Sequence, residues 1–403
     1  MAAALTVEAA LARILRGATP IPESQRRDLL ASHGHVLAEP LTAALTQPPF
    51  DASAMDGYAV RGADIARLPA HLHIVGEAAA GRGFKGRLGP AETVRIFTGA
   101  PVPEGADTIV IQENTDRDGD RVVVREGRPD AEHIRRRGGD FKAGDLLLPA
   151  GRRLSARDIT LAAATGHAAL PVRRPPVVAI IATGDELVLP GIAPGPDQIV
   201  CSNTFGIAGM IRAAGGAPRL LGIARDTAES LRDLVDLAAG ADLLVTVGGA
   251  SVGDHDLVGP VLAARGLTLD FWRIAMRPGK PLMYGRLASQ HVIGLPGNPV
   301  SSLVCTRLFV VPLVRALLGL EPEPSREIEA RTAVDLSGNG DRAHYMRATS
   351  KPGSDGHLEV TPVASQDSSL MRPLANADCL IVRPIGAPPV AAGANVPILM
   401  MDF

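Results

Sequence analysis

Residues 242–256 read DLLVTVGGASVGDHD, residues 273–282 read RIAMRPGKPL and residues 291–303 read HVIGLPGNPVSSL. Each is an apolar run that ends in a loop dense in glycine, proline and polar side chains. Val245-Thr246-Val247 and Val292-Ile293 are short, apolar and β-branched, which predicts buried parallel strands. Loops that follow parallel strands share the carboxyl edge of the sheet, where open α/β sheets bind ligands. Gly248, Gly249 and Gly253 permit close backbone approach and leave amide N–H groups free to wrap an anion, at the start of a helix expected over residues 256–264. A phosphate fits such a loop. Ser251, Asp254, Asp256, Arg277, Lys280, Asn298 and Ser301 stand in the same three loops. Polar groups of both signs converging on one sheet edge point to an anionic substrate handled with a metal ion.

The chain around this stretch has 403 residues, 46% of them hydrophobic, enough for roughly two to four domains with cores of their own. Its net charge is −2 and aromatic residues make up 3%. With no basic cluster beyond Arg135-Arg136-Arg137, neither a nucleic-acid groove nor an acidic-membrane surface is expected. Lysine occurs only at positions 85, 142, 280 and 351, so a lysine inside RPGKP stands out. Cys201, Cys305 and Cys379 lie far apart with no CxxC pair and read as reduced thiols of a cytoplasmic protein. The first helix carries charges through its apolar face, unlike a signal peptide, and the apolar run at 308–318 is too short to span a bilayer.

Taken in order, Val7, Leu11, Ile14 and Leu15 have helical spacing, and a second helix is expected from about Glu23 to Ser32, closed by Gly34. Residues 41–132 change texture: Tyr58-Ala59-Val60, Leu72 to Val75, Thr108 to Ile111 and Val122 to Val124 are short β runs between turn signals, a β-rich insert. A helix from about Ser155 to Thr165 and a strand from Ala169 to Val172 return the chain to its helical part. Residues 1–40 and 133–174 are therefore expected to form one discontinuous helical domain. Pro175-Pro176 opens the main α/β domain, 175–322, in which TGDEL (183–187) and Arg225-Asp226 end strands at the carboxyl edge. The segment Cys201-Ser202-Asn203-Thr204 is placed to cap a helix there. Residues 323–403 revert to short β runs and turns, a small β domain.

These motifs carry a resemblance. GGxSVGxxD at 248–256, RPGKP at 277–281 and GLPGNPVS at 294–301 are similar to the molybdopterin-binding domain shared by molybdopterin adenylyltransferases and molybdopterin molybdenumtransferases, the latter including the C-terminal part of gephyrin. PPFDASAMDGYAV (48–60), IFTGAPVPEGADTIV (96–110) and HIRRRGGDFKAGD (133–145) resemble signatures of the molybdenumtransferases, in which a β insert precedes that domain; the adenylyltransferases are essentially the domain alone. The resemblance covers the chain in the same domain order. It implies a multidomain α/β plus β fold: a central molybdopterin-binding domain with a mostly parallel sheet, a discontinuous helical N-terminal domain, a β-rich insert and a C-terminal β-barrel-like domain.

The function implied is insertion of molybdate into adenylylated molybdopterin, with release of AMP, to form the molybdenum cofactor. By the same resemblance Asp56, Thr98, Arg135, Asp140, Glu186, Asp226 and Asp256 are candidate catalytic residues, with Asp226 and Asp256 on a Mg²⁺ ion. Gly248, Gly249, Ser251, Gly253, Asp254, Arg273, Pro296, Gly297, Asn298 and Pro299 are candidates for binding the organic substrate. Arg277, Lys280, Pro281, Ser301, Ser369 and one of Arg342 or Arg347 are candidates for molybdate. Arg273 and Arg277 stand where some members carry lysine, which keeps the charge and replaces a point with a planar fork. A homodimer with shared active sites is expected, with molybdopterin adenylyltransferase and molybdoenzyme chaperones as candidate partners. The alternatives are an adenylyltransferase, against which the extra domains speak, and a non-catalytic scaffold, against which the acidic and basic site positions speak.

Overall fold

A computed structural model of the chain describes residues 4–129, 133–249, 257–322, 327–353 and 356–401. The chain divides into two compact units. One holds residues 1–25, 34–36 and 173–403, the other residues 26–33 and 37–172.

The first unit is built on a six-stranded sheet in the order 217–224, 177–183, 243–247, 290–295, 281–287, 268–273. The first four strands run parallel and the last two antiparallel. Ile180, Val245 and Ile293 lie side by side across its middle, all fully buried. Each such aliphatic side chain contributes about 1.5–3 kcal/mol on burial, which is why the central strands read as unbroken apolar runs. Alternate residues serve opposite faces. Val178, Ile180, Val245 and Ile293 meet Ile207, Ile211, Val304 and Phe309, while Ala179, Ile181, Leu244 and Val292 meet Leu231, Val235, Val261 and Leu262. The sheet is thus sandwiched between helices, as the β-α alternation of the sequence predicts.

The Pro299–Leu317 helix is apolar nearly all round and 78% of its most apolar window is buried. It is a core helix, the one long and apolar enough to cross a membrane among the described residues. Proline at its first position costs no hydrogen bond. The helix includes a π-helical stretch at Thr306–Val310.

C-terminal to it, strands Ala343–Pro352, Leu358–Pro362, Ile328–Thr332, Asn395–Met400 and Cys379–Arg383 pair in that order, and the last closes on the first to make a small barrel. Met276–Arg277 adds alongside Ala343 and His344 in parallel register, stitching the barrel to the α/β sheet.

The second unit centres on another six-stranded sheet, in the order 108–111, 57–60, 92–96, 70–78, 121–124, 115–118. All four β runs expected of the insert lie in it. A separate small core gathers Leu37, Leu41, Leu148, Leu154 and Leu170 around the Ala156–Ala164 helix, whose Ser155 and Asp158 form a reciprocal capping box.

Two expectations are corrected. The helix placed over Glu23 to Ser32 is instead a strand, Ser24–Asp28, followed by the four-residue helix Leu29–Ser32. Its apolar residues are too few to make a face, and Leu30 is 89% exposed. The Val7–Arg16 helix packs through Val7, Ala10 and Ile14 into the α/β core. Ser202 occupies the cap position of the Asn203–Ala213 helix without a side-chain capping bond, because its backbone is already helical.

Candidate active site

The carboxyl ends of the four parallel strands carry Thr183 to Glu186, Arg225-Asp226, Gly248-Gly249 and Pro296 to Pro299. These loops wall a cavity of about 810 Å³, with Pro281, Asn203 and Ser369 completing its lining. Of the residues singled out in the sequence, it brings together Glu186, Asp226, Gly248, Gly249, Pro281, Pro296, Gly297, Asn298, Pro299 and Ser369. Ser251, Gly253, Asp254 and Asp256 lie outside the described residues.

The loops interlock through their backbones. The Asp185 amide donates to Asp226 Oδ2 and the Asp226 amide donates to Asp185 Oδ1, both at 3.3 Å. Arg225 Nη1 donates to the Asp185 carbonyl at 3.2 Å. The two acidic loops are therefore tied together by reciprocal backbone-to-carboxylate hydrogen bonds. Asn203 Nδ2 donates to the Gly297 carbonyl at 2.7 Å, tying the glycine-proline loop to the neighbouring helix start.

Glycine is required at two points. Gly184 has φ +142, and a Cβ there would fall 2.1 Å from Glu186 Oε2. Gly248 has φ +95, and a Cβ would fall 2.8 Å from Thr183 Oγ1 and 2.9 Å from its carbonyl oxygen. At Gly248 a left-handed backbone is combined with no room beside the Thr183 carbonyl, whereas at Gly184 the backbone φ is what calls for glycine, since the Glu186 carboxyl can swing aside.

The barrel region contributes Ser369 to the cavity lining. Asn298 Nδ2 donates to Ser368 Oγ at 2.8 Å and the Val300 amide donates to the Ser368 carbonyl at 3.0 Å. Ser369 donates from its amide and its hydroxyl to Asp367 Oδ1, each at 2.9 Å, which holds the Asp367 carboxyl below its usual range. Beneath this loop Arg347, 1% exposed, donates to the carbonyls of Ser365, Asp367 and Leu370. Arg347 is thus built into the loop's support, whereas Arg342 is half-buried and keeps contact with solvent. Arg277 and Lys280 are exposed, and among the described residues neither meets a carboxylate; Arg277 Nη2 donates to Asn339 Oδ1 at 3.2 Å. Arg273 is half-buried and Ser301 buried.

In the second unit Asp56 and Thr98 form a pair: the Thr98 amide and hydroxyl both donate to Asp56 Oδ1 at 2.8 Å. These two bonds, the backbone one foremost, hold the Asp56 carboxyl below its usual range. A carboxylate so held is suited to orienting and poorly suited to taking a proton near neutral pH. Ile134–Arg135 pairs with Ala52–Ser53, and the Asp140 amide donates to the Gln47 carbonyl, so Arg135 and Asp140 flank the loop that carries Asp56. That loop is pinned by Asp51, which accepts from Arg136 Nη1 at 2.6 Å and from the Arg137 amide at 2.7 Å.

Several of these residues carry no signal in the sequence. Asn203 stands in the CSNT segment read as a cap. Asp367, Ser368 and Asn339 sit in polar turns where nothing marks one residue above its neighbours.

No group of three or more His, Cys, Asp or Glu suited to a metal occurs among the described residues. A Mg²⁺ ion held by one or two carboxylates and by substrate phosphate oxygens needs no such group, and Asp226 on the cavity wall is a donor of that kind.

Comparison with known proteins settles the family. Over 387 residues the chain is 37% identical to the molybdopterin molybdenumtransferase of Nostoc sp., covering 93% of this chain and 88% of that one. This chain belongs to the molybdopterin molybdenumtransferase family. It is 35% identical over 399 residues to molybdopterin molybdenumtransferase 2 of Mycobacterium tuberculosis, with 96% of each chain covered. The MoeA N-terminal region (domain I and II) matches residues 5–166, a probable molybdopterin binding domain residues 179–316, and the MoeA C-terminal region (domain IV) residues 329–401. The crystal structure of the molybdopterin biosynthesis protein moea from Pyrococcus horikosii superposes over all of both chains with a TM-score of 0.86 at 29% identity.

Proposed function

We propose that this transferase inserts molybdenum, delivered as molybdate, into adenylylated molybdopterin and releases AMP. The observation that supports it is the cavity at the carboxyl edge, lined by the glycines and acidic loops of the α/β sheet and by the barrel's Ser369. Gly248, Gly249 and the loop 296–299 present backbone to the organic substrate and its phosphates. Asp226, with Asp256, would hold a Mg²⁺ ion, whose contribution is to neutralise charge on the phosphoanhydride. Glu186 orients groups at the same edge.

Arg277 and Lys280, together with Arg342, Pro281, Ser301 and Ser369, receive the oxyanion. Arg277 and Lys280 are exposed and, among the described residues, meet no carboxylate, so their positive charge attracts a dianion and their side chains have room to close on it. Arg347 acts one step back, holding the loop that presents Ser369. Arg273 supports the organic substrate. Adenylyl transfer to molybdopterin, the competing activity, would be detected as AMP incorporation from ATP. The proposed activity gives AMP release instead.

The protein works in the cytoplasm as a two-fold homodimer with composite sites, each taking Asp56, Thr98, Arg135 and Asp140 from one chain and Asp226 and Asp256 from its partner. Molybdopterin adenylyltransferase supplies the substrate and molybdoenzyme chaperones take the product. Complementation tests the shared site. Chains carrying Asp56→Asn and chains carrying Asp226→Asn, each inactive alone, are refolded together. With random pairing half the dimers are mixed and each of these has one intact site, so roughly a quarter of wild-type activity should return. No recovery would reject the shared site.

A further inference from the structure

Arg277 reaches solvent from a short strand, and its direction is not left to chance. Its backbone is registered beside His344 of the barrel, and the Ala343 amide donates to the Ala275 carbonyl at 2.9 Å. Its guanidinium then donates from Nη2 to Asn339 Oδ1 at 3.2 Å. Asn339 is anchored at both ends. Its backbone amide donates to the Ala387 carbonyl at 2.8 Å. Its side-chain nitrogen lies 2.8 Å from the carbonyls of Arg342 and Arg383 and 2.7 Å from that of Pro384. An oxygen placed among these three carbonyls would face only acceptors, whereas the NH₂ group can donate to two of them at a time, so the amide keeps its oxygen toward Arg277.

We propose that Asn339 is a positioning residue for the oxyanion site: a neutral acceptor that aims the Arg277 guanidinium while leaving its charge unspent. This rests on the reading that Arg277 contacts molybdate. The choice of an amide is the informative part. A carboxylate at the same place would also aim the arginine, but it would form an ion pair and compete with the incoming oxyanion. An amide oxygen accepts one N–H and leaves the net charge of Arg277 in place, with the rest of its donor fork available. Restraining a long side chain before the anion arrives also removes part of the ordering cost of binding.

The test measures molybdate dependence of AMP release in Asn339→Ala, Arg277→Ala and the double variant, with binding of adenylylated molybdopterin as the control. Asn339→Ala should raise the half-saturating molybdate concentration by about three- to ten-fold, with little change in kcat and none in pterin binding. In the Arg277→Ala background the same change should add almost nothing, since the residue it aims is gone. Equal effects in both backgrounds, or a wild-type response in Asn339→Ala while Arg277→Ala loses its own, would overturn the proposal. An unchanged response in Arg277→Ala would reject the oxyanion reading on which it rests.

Two variants cover failure of Asn339→Ala to fold. Arg277→Lys keeps the charge but loses the planar fork, so its molybdate response should weaken; a wild-type response contradicts the clip. Asn339→Asp should weaken the response at pH 7.5 and regain it, relative to wild type at the same pH, as acid protonates the new carboxyl. A pH-independent loss would show that Asn339 only holds the turn together.

Discussion

Gly248 shows how one residue decides the shape of the site. Its left-handed backbone lets the chain leave the Leu243–Val247 strand and turn across Thr183, with no space for a Cβ. Gly248→Ala should therefore cost about 2 kcal/mol of stability and disturb the cavity floor, read as a lower denaturant midpoint and lost AMP release. Gly297 in the facing loop makes the contrast. A Cβ there would meet only Gly248 Cα, at an ordinary 3.7 Å. Gly297→Ala should unfold with a wild-type midpoint, and an equal loss in both variants would contradict the distinction. The sequence makes both glycines visible, since each follows a β-branched run. It does not tell them apart, because φ and the position of Thr183 are set by strands distant in the chain.

At the scale of elements, local chemistry was legible where it is self-contained. Ser155 accepts from the Asp158 amide while Asp158 accepts from the Ser155 amide, a signature spaced three residues apart that marks the start of the Ala156–Ala164 helix. Ser155→Ala should lower the stability of its unit by about 1 kcal/mol, measured by denaturant unfolding, and no change would show the box to be ornamental. Elsewhere tertiary context overrides local pattern. The segment from Glu23 to Ser32 has helix-forming residues but no apolar face, and tertiary pairing draws Ser24–Asp28 into a strand. The barrel's contribution was legible only as a resemblance: Ser369 lies in a polar turn, and its place in the cavity depends on Arg347 buried below it and Asn298 beside it.

For the whole molecule, two buried histidines set a pH dependence. Burial, with Arg286 beside it, pushes His291 down to about 4; burial, with Arg277, Arg342, Arg347 and Arg383 around it, does the same to His344. In the unfolded chain each titrates near the ordinary histidine value of 6.5. Below that pH the unfolded state binds more protons than the folded state, so stability is complete above about 6.5 and falls as pH drops toward about 4. The loss approaches about 3 kcal/mol per histidine. Melting temperature measured from pH 7.5 to 5 should decline below about 6.5, and His291→Asn should flatten that decline. A flat wild-type profile would contradict the burial of these rings.

The parallel sheet and the loops at its carboxyl edge are legible from strand and loop chemistry, because parallel strands buried on both faces have a distinctive composition. The insert's Asp56 and Thr98 were readable as loop residues, though their mutual hydrogen bonds come from strands 42 positions apart. The central claim is that the edge cavity of this chain couples molybdate to cleavage of the adenylate. It is tested most directly by measuring AMP release from adenylylated molybdopterin against molybdate concentration, in wild type and in Arg277→Ala. Release that saturates with molybdate, and that in the variant requires about ten- to a hundred-fold more molybdate with adenylate binding intact, is the expected result. Release independent of molybdate, or a variant indistinguishable from wild type, would contradict it.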